Sequence, residues 1–529
     1  MSRAPVSRRQ HCHRSPQLKN VRPRGGSLYV LLILFLIPTV LASCGGRQGP
    51  TRHARQGAPV WSATPDAQPA QQPPAGDWLR FGYDAARSGV NPNETTLSPS
   101  NVAGLHMLWH VQLAGVADSS PILLHALKLP DGTTRDVLYL TTRDGRIIAA
   151  DAASGATIWS HQPSGPKITH SSPVADPTGQ FVYAYGLDGA LHKYQAARGD
   201  EVHDSGWPAR VTTFTATEKE SGALNIANGH VYVVTSGYIG DAPPYQGHVV
   251  TVDAHSGDTS VFNSLCSNVG RLLTATECPS EESGIWARAG AIVDPVTGNI
   301  FVATGNGPYT GDRGGYDWGD SVLELSPDGS RLLDSYTPDS YQQLADDDAD
   351  LGSVAPALLP KIAGSLTPYV LVQEGKDGKL RLLNRQNLSG AGAAGYTGGE
   401  LQVISRGCGV FHQPAVWTDA SGRLWVIVPT SCGLRAFRVV TDGHGVTTLS
   451  AAWKISTSTT SPVIANGVLF ALTNGAAVAL DPTTGKTLWR SEQQSSGGSI
   501  GGIHWQSPIV TGGRLFCTDE NGVLYAFGL

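Results

Sequence analysis

The sequence is poor in charged residues, and its net charge is slightly negative. Of its 529 residues, 38 are Lys or Arg and 43 are Asp or Glu, which gives a formal net charge of −5 at pH 7. Domains that bind nucleic acid carry a basic patch or stripe, and this composition gives no sign of one. The Cys and His spacings that hold structural zinc are also missing from the sequence. We therefore expect neither nucleic acid nor zinc as a partner.

The apolar run near the start of the chain is too short for a stable membrane span. Such a helix needs about 20 apolar residues, whereas residues 28–41 offer fourteen that are mostly apolar. A basic segment precedes them, which is typical of a secretory signal. The following LASC, residues 41–44, resembles a bacterial lipobox, so we predict a lipid on Cys44. The alternative is ordinary signal cleavage near Ala42, with Cys44 incidental.

The next segment lacks periodicity and is rich in Gly, Pro, Gln and Ala. Such a composition does not bury enough apolar surface to order itself. We therefore predict a signal peptide over residues 1–43, a disordered tether over residues 44–76 and a folded domain over residues 77–529. The protein would be a monomer in the cell envelope, on the extracytoplasmic side, anchored to a membrane by its lipid.

Cysteine is scarce, and its spacing suggests disulfides in an oxidising compartment. The five cysteines beyond the leader and the lipid site are Cys266, Cys278, Cys408, Cys432 and Cys517. The first two are close in sequence, as are the next two, so we predict one disulfide in each pair. The last lies in the apolar run RLFC, which favours a buried free thiol.

Glycine, in contrast, is abundant, and part of it belongs to a repeat. The 63 glycines exceed the average usage of about 7%, which indicates many tight turns between short strands. Residues 149–159 read AADAASGATIW and residues 479–489 read ALDPTTGKTLW, with the Ala, Asp, Gly, Thr and Trp in register. A weaker copy, TVDAHSGDTSV at residues 251–261, has valine in place of the tryptophan.

The turn signals divide the chain into eight repeats. Each begins with a small polar residue, then Pro or Ala and a short apolar strand; the starts are Pro121, Pro173, Ala223, Ala291, Pro356, Pro414, Pro462 and Pro508. A second strand follows, and then in most repeats an Asp-Gly or Asn-Gly pair, which supplies the positive φ angles of a tight hairpin. The pattern predicts an all-β fold, an eight-bladed β-propeller of four-stranded antiparallel blades.

Two further features support a closed ring. The last repeat stops after its third strand, and GLHMLWHVQL, residues 104–113, alternates like a half-buried strand before the first repeat. We therefore predict that this N-terminal strand completes the eighth blade and removes an open edge. The repeated tryptophan follows its Asp/Gly turn, and we expect its ring to fill the wedge between neighbouring blades.

The repeated turn in an eight-fold propeller resembles the tryptophan-docking repeat of the pyrroloquinoline quinone (PQQ) type propellers. The resemblance covers residues 77–529 and includes the stretch DWLRFGYDAARSGVNPNETTL. It implies the fold but not the activity. The same repeat serves quinoprotein alcohol dehydrogenases and non-catalytic scaffolds such as the outer-membrane assembly lipoproteins.

The middle of the chain is closer to the enzymes. In GIWARAGAIVDPVTGNIFVATGNGPYT, the resemblance implies that Trp286 stacks under the quinone and that Asn306 binds calcium. In DDDADLGS, Asp348 or Asp350 would be the base that takes the alcohol proton. Taken singly, these residues also suit an inter-blade ring, a turn and a solvated acidic loop. Their joint order along the chain favours the functional interpretation.

A quinone that carries three carboxylates would need cationic side chains as partners. In EGKDGKLRLLNR, Lys376 stands where the enzymes have the basic residue that contacts the quinone oxygens, although alone it would read as a surface charge. Arg288 is a second candidate. Calcium takes about six to eight oxygen ligands, so Asn306 would be only one of several. A base beside the metal would abstract a proton while hydride passes to the quinone.

The sequence departs from the enzymes in three places. Their glutamate calcium ligand is expected near SGYIGDAPPYQGHVVTVD, where no Glu occurs, so Asp241 or Glu220 would have to replace it with a shifted backbone. Their adjacent cysteine pair is absent. The sequence also has no CxxCH haem motif, so electrons would need a separate carrier.

Polar residues precede the innermost strand in six repeats, which should place them around one mouth of the channel. They are His170, Glu220, Arg288, Asp350, His412 and His504. Two hypotheses remain. One is a non-catalytic scaffold that binds an envelope protein or polymer and is supported by the missing Glu and cysteine pair. The other is a PQQ- and calcium-dependent dehydrogenase of an alcohol or sugar.

Overall fold

Eight antiparallel sheets form the blades of a β-propeller in the computed structural model, which describes residues 73–238, 241–274, 276–494 and 497–529. Short strands dominate because Asp-Gly and Asn-Gly turns interrupt the apolar runs every few residues. The described residues contain one α-helix, Tyr341–Asp346. They also contain four single-turn 3₁₀ helices: Val102–Gly104, Gly311–Arg313, Leu351–Ser353 and Ser491–Gln493. The predicted fold class is therefore confirmed.

Blades 1 to 7 are meanders whose four main strands pair in chain order from the inside outward, and blade 8 takes its outer strand from the start of the domain. Blade 1 comprises Ile122–Lys128, Thr134–Thr141, Ile147–Asp151 and Thr157–His161; blade 2 comprises Val174–Ala175, Phe181–Tyr185, Ala190–Gln195 and Ala209–Arg210. Blade 3 comprises Asn225–Ala227, His230–Gly237, His248–Asp253 and Thr259–Asn263, with Glu218–Glu220 added beside its second strand. Blade 4 comprises Ile292–Val293, Ile300–Ala303, Val322–Leu325 and Leu332–Tyr336.

The second half of the chain repeats the pattern. Blade 5 comprises Ala357–Leu358, Val370–Gln373, Lys379–Asn384 and Gln402–Ser405; blade 6 comprises Ala415–Thr418, Leu424–Thr430, Gly433–Thr441 and Thr447–Ile455. Blade 7 comprises Val463–Ala465, Val468–Thr473, Ala476–Leu480 and Thr487–Arg490, with Val90–Asn91 parallel to its inner strand. Blade 8 comprises Ile509–Thr511, Arg514–Thr518, Val523–Gly528 and the early strand His106–Gln112.

The early strand of blade 8 closes the ring, as the sequence predicts. His106–Gln112 pairs antiparallel with Val523–Gly528, with Trp109 opposite Ala526. Since the outer strand of this blade comes from the start of the domain and the other three come from its end, backbone hydrogen bonds join the two termini. This arrangement removes the edge that an incomplete sheet would expose.

The repeated tryptophans pack between blades, which confirms their predicted role. The indole of Trp159 in blade 1 donates to Ala196 O in blade 2 at 2.9 Å. It also lies so close to the turn glycine of that blade, Gly199, that a Cβ there would be 2.7 Å from the ring. Trp489 in blade 7 likewise donates to Leu105 O, before the closing strand, at 2.8 Å. The turn glycine is therefore needed for its left-handed φ and for the room it leaves to the neighbouring ring.

The segment before the closing strand, residues 79–89, crosses the centre of the propeller, which the sequence did not predict. Its backbone carbonyls accept hydrogen bonds from the inner strands of several blades, with the pairs Leu79 to Ala175, Ala85 to Val293, Ser88 to Val416 and Gly89 to Ile464. The guanidinium of Arg87, 1% exposed, donates to backbone carbonyls that include Leu224 O and Ala289 O. The segment bonds to the inner strands themselves, whereas the predicted site residues lie before those strands or after the second strands. It therefore lies behind the site.

Both predicted disulfides are present. Cys266 pairs with Cys278 and Cys408 with Cys432, whereas Cys517 is a buried free thiol as expected. Residues 1–72, which hold the predicted signal peptide, Cys44 and most of the predicted tether, lie outside the described residues. In the part of the chain that the structure describes, no helix has the length and apolar character to cross a membrane.

Candidate functional site

A pocket of about 350 Å³ opens at the mouth of the propeller axis. Its walls are segments that precede the inner strands of several blades and segments that follow their second strands, because both converge on the axis. The pocket is lined by all six residues that the sequence assigns to catalysis, cofactor or metal, namely Trp286, Arg288, Asn306, Asp348, Asp350 and Lys376. The structure thus brings the six together, although 90 positions separate the first from the last.

Aromatic rings form one continuous side of this pocket. Trp286 lies between Phe411 and Trp505, with ring centroids 6.4 and 6.5 Å away. Two cations sit over the same surface: Lys376 Nζ lies 5.3 Å from the Trp286 ring and the guanidinium of Arg288 lies 5.0 Å from the Trp505 ring. A flat apolar surface flanked by cations suits a planar anionic ligand.

Asp350 anchors the wall next to Trp286. Its Oδ2 lies 2.5 Å from Lys376 Nζ, and its Oδ1 accepts the backbone N–H of Asn306 at 2.6 Å. Burial raises the pKa of Asp350, while the ammonium of Lys376 opposes that rise. Burial alone would lower the pKa of Lys376, but the carboxylates of Asp350 and Asp348 outweigh it, so this pKa lies above its usual value.

The two candidate bases differ in burial. The side chain of Asp350 is 4% exposed at the wall of the pocket, whereas that of Asp348 is 66% exposed at the rim, 2.7 Å from Lys376 Nζ. Asp348 follows the short helix Tyr341–Asp346 and adopts a left-handed φ of 49°. The sequence left the two as alternatives, and the structure places only Asp350 inside.

Oxygen-bearing side chains lie beside this wall. Asn306 and Asp350 are joined as pocket residues by Asp241, whose Oδ1 accepts the hydroxyl of Tyr245 at 3.0 Å. Of the two substitutes considered for the missing glutamate, Asp241 therefore faces the pocket. Glu220 is fully buried in its strand, and burial raises its pKa to about 8. Amide and carboxylate oxygens are the ligands that calcium prefers.

Sequence reasoning missed Lys219. It lines the pocket, is 4% exposed, and its Nζ donates to Ser221 Oγ at 3.2 Å. Burial, with Arg288 nearby, lowers the pKa of Lys219 to about 7, and burial lowers that of Arg288 to about 10. The available signal was the position of EKES just before an inner strand, the same place from which the other polar residues reach the axis.

The histidines of the predicted mouth divide into two groups. His170 and His504 line the pocket, whereas His412 lies behind, with its ring 5.2 Å from that of Trp505. Burial lowers the pKa of His170 and of His412 to about 3, so both are neutral. Sequence reasoning also missed Asp118, whose Oδ2 lies 2.7 Å from His504 Nδ1. Its partners come from the other end of the chain, which no local pattern reveals.

A closed eight-bladed propeller with tryptophan-docked blades, and with an aromatic wall, cations and oxygen donors at its axis, defines a PQQ-type propeller. The chain belongs to the family described as the glucose/ethanol/alcohol dehydrogenase β-propeller domain, whose model matches residues 78–387, more than half of the chain. Residues 397–528 match a second model, described as the outer membrane protein assembly factor BamB.

Individual relatives agree with this assignment. The quinohemoprotein alcohol dehydrogenase ADH IIB of Pseudomonas putida is 26% identical over 347 residues, 60% of this chain and 47% of that protein. The chain thus spans about half the length of such a relative. The quinohemoprotein alcohol dehydrogenase of Comamonas testosteroni superposes with a TM-score of 0.61 at 17% identity, over 86% of this chain and 80% of that one. BamB from Moraxella catarrhalis gives 0.50 at 12% identity, over 80% and 100%.

Proposed function

We propose that the pocket binds a planar polycarboxylate quinone of the PQQ type together with calcium, and that the protein oxidises an alcohol or sugar. One observation carries the proposal: Trp286, Asn306, Asp350 and Lys376, assigned from separate motifs, line the same pocket. The sequence by itself slightly favoured a scaffold. The ion pair of Lys376 with Asp350 against the ring of Trp286 favours a pocket for a ligand.

The donor set of the pocket suits this cofactor. The rings of Trp286 and Trp505 offer a flat surface, and Lys219, Arg288 and Lys376 offer charge-assisted hydrogen bonds to carboxylate or quinone oxygens. The side-chain oxygens of three residues would hold calcium: Asn306, Asp241 and Asp350. Because calcium takes about six to eight oxygens, the remaining ligands would be cofactor and water oxygens.

When bound, a quinone of this type supplies the hydride acceptor. The residues of this chain do the rest. Trp286 fixes the plane of the ligand, and Lys376 fixes one edge of it through its own bonds to Asp350 and Asp348. The segment behind the site closes the axis with backbone hydrogen bonds, so substrate would enter from the mouth.

Cofactor titration tests the proposal. Full-length protein incubated with PQQ and calcium should retain quinone absorbance after gel filtration and should show saturable binding at micromolar concentrations. The Lys376→Ala variant is the matched comparison, because it keeps the fold and loses one cation of the pocket. The dehydrogenase proposal fails if wild-type protein shows no saturable binding under these conditions.

A second candidate function has support from the last quarter of the chain, which matches the assembly-factor model. In that case the mouth would bind an envelope protein or polymer. A photo-crosslinking residue at Trp286 would then trap a partner in intact cells. PQQ added with calcium would leave such crosslinking unchanged, whereas a cofactor pocket would be protected.

We also propose that the protein is held at a membrane by a lipid on Cys44. The motif LASC and the preceding basic and apolar segments support this location. The Cys44→Ala variant should move from the membrane fraction to the soluble fraction. Unchanged partitioning of this variant would contradict the anchor.

A further inference from the structure

Asp118 is a buried carboxylate just before blade 1, and several donors meet on it. Its Oδ1 accepts the backbone N–H of Trp505 at 2.8 Å, and its Oδ2 lies 2.7 Å from His504 Nδ1 and 2.7 Å from an Arg143 nitrogen. Nδ1 of His170 lies 3.0 Å from the same oxygen. Burial acts to raise the pKa of Asp118, but the histidine contacts outweigh it and hold this pKa well below its usual range. Asp118 is therefore ionised.

This contact fixes the tautomer of His504. An ionised carboxylate only accepts hydrogen bonds, so in the neutral imidazole of His504 the hydrogen is on Nδ1 and Nε2 is the acceptor. The side chain of His504 is 41% exposed and lines the pocket. No described residue forms a hydrogen bond with Nε2. A carboxylate that orients an imidazole in this way is the arrangement by which proteins prepare a histidine to take a proton.

Other charged and titratable groups surround the imidazole. Arg143 lies 3.5 Å from Nδ1 and is itself paired with Glu520 at 2.7 Å. The ring of His170 lies 5.8 Å away and is neutral, and the guanidinium of Arg288 lies 5.0 Å from the ring of Trp505. The positive charge of Arg143 is thus matched by Asp118 and Glu520.

Asp350, the other candidate proton acceptor, lies at the opposite end of the aromatic wall from His504. Each oxygen of Asp350 already has one partner, Lys376 for one and the backbone N–H of Asn306 for the other. Protonation of Asp350 would remove the negative charge that pairs with Lys376. His504, next to Trp505 with ring centroids 4.5 Å apart, has a free acceptor nitrogen.

We propose that His504, positioned by Asp118, accepts a proton from the hydroxyl group of the alcohol or sugar substrate in the pocket. The O–H bond of the ligand breaks, the electron pair stays on its oxygen, and an N–H bond forms at Nε2. The inference rests on the proposed function and adds to it the residue that receives the hydroxyl proton. Asp118 acts only through His504 and is a positioning residue.

The tautomer is tested directly on full-length protein labelled with ¹⁵N-histidine. The proposal expects a His504 signal with hydrogen on Nδ1 and none on Nε2, assigned by its loss in the His504→Gln variant. Asp118→Asn should shift the population toward hydrogen on Nε2, which a purely structural role of Asp118 would not do. Hydrogen on Nε2 in the neutral wild-type imidazole would overturn the proposal.

Kinetics separate this proposal from the proposed function. With PQQ and calcium bound, His504→Gln should lower kcat by on the order of 100-fold and leave the Kd for PQQ within about twofold, since a proton acceptor acts on the hydroxyl and not on the cofactor. His255→Gln, in an exposed turn of blade 3, is the matched control and should behave like wild type. Saturable PQQ binding with an unchanged kcat in His504→Gln overturns the role of His504 alone. Absence of PQQ binding to wild-type protein overturns the proposed function and this inference with it.

Discussion

Lys376 and Asp350 are joined twice. Nζ of the lysine lies 2.5 Å from Oδ2 of the aspartate, and the backbone N–H of the lysine donates to the backbone carbonyl of the aspartate at 3.0 Å. Asp350 precedes the inner strand of blade 5 and Lys376 follows the next strand, so the pair ties together two segments of one blade at the pocket wall. The ammonium is thereby held over the ring of Trp286.

The burial of Asp350 predicts a large difference between two neutralising substitutions. Asp350→Asn should lower dye-linked alcohol oxidation by on the order of 100-fold, because the buried partner of Lys376 is lost. Asp348→Asn should retain most activity, because that side chain is 66% exposed at the rim. Cofactor binding, measured by absorbance, should weaken in Asp350→Asn, because Asp350 holds Lys376 and is a proposed calcium ligand, and should change little in Asp348→Asn. Equal loss of activity in the two variants would contradict the distinction.

The substitution of Lys376 should act mainly on cofactor binding. Lys376→Ala should weaken PQQ binding by roughly 10- to 100-fold, as expected for the loss of a charge-assisted hydrogen bond. Lys486→Ala, an exposed lysine in a turn of blade 7, should bind as wild type does. The comparison is made by titration with calcium in excess. Wild-type affinity in Lys376→Ala would show that Lys376 does not contact the cofactor.

Affinity for the cofactor should fall as pH rises from 6 to 8. The pKa of Lys219 is lowered by burial to about 7, so its positive charge is present below that pH and is lost above it. The pKa of Glu220 is raised by burial to about 8, so a negative charge appears over the same interval. Both changes oppose the binding of an anion. The effect per proton is at most about tenfold per pH unit, and Kd measured at several pH values checks it.

The Lys219→Met variant supplies the control for this pH dependence. It should bind PQQ more weakly at pH 6 and should show a flatter dependence of Kd on pH than wild-type protein. If both proteins gave the same slope, or if wild-type affinity rose with pH, the role of Lys219 would be wrong.

The packing of Trp489 predicts a large effect on stability. Its side chain is 3% exposed and its indole donates to Leu105 O at 2.8 Å. Trp489→Ala should lower the free energy of unfolding by about 3–5 kcal/mol, measured by thermal or denaturant unfolding. Leu366→Ala, at a side chain that is 77% exposed, should change it by less than about 0.5 kcal/mol. A small effect at Trp489 would contradict its role between blades.

Much of the blade architecture could be predicted because its signals are local. An Asp-Gly turn followed by an apolar run defines a hairpin wherever it occurs, and eight such units cannot bury their faces unless they close on one another. The orphan strand before the first repeat had one open edge to join, the edge left by Val523–Gly528. Short sequence separation was sufficient for the two disulfides.

The site was predictable only in outline. Trp286, Asn306 and Lys376 were assigned because their neighbours resemble known motifs, whereas no motif marks Lys219 or Asp118. Asp118 is 386 residues from His504, so their contact exists only in the closed ring.

The sequence by itself thus determined the repeat, the closing strand and the residue types at the mouth of the axis, since each depends on a few neighbouring positions. The tertiary structure decided which of these residues face the pocket, because that depends on how eight separate blades approach one axis. It placed Asp350 inside and Asp348 at the rim, and it buried Glu220 while exposing Asp241. It also drew the segment around Arg87 across the inner strands, where their backbone N–H groups and carbonyls, exposed at the centre of the ring, require partners.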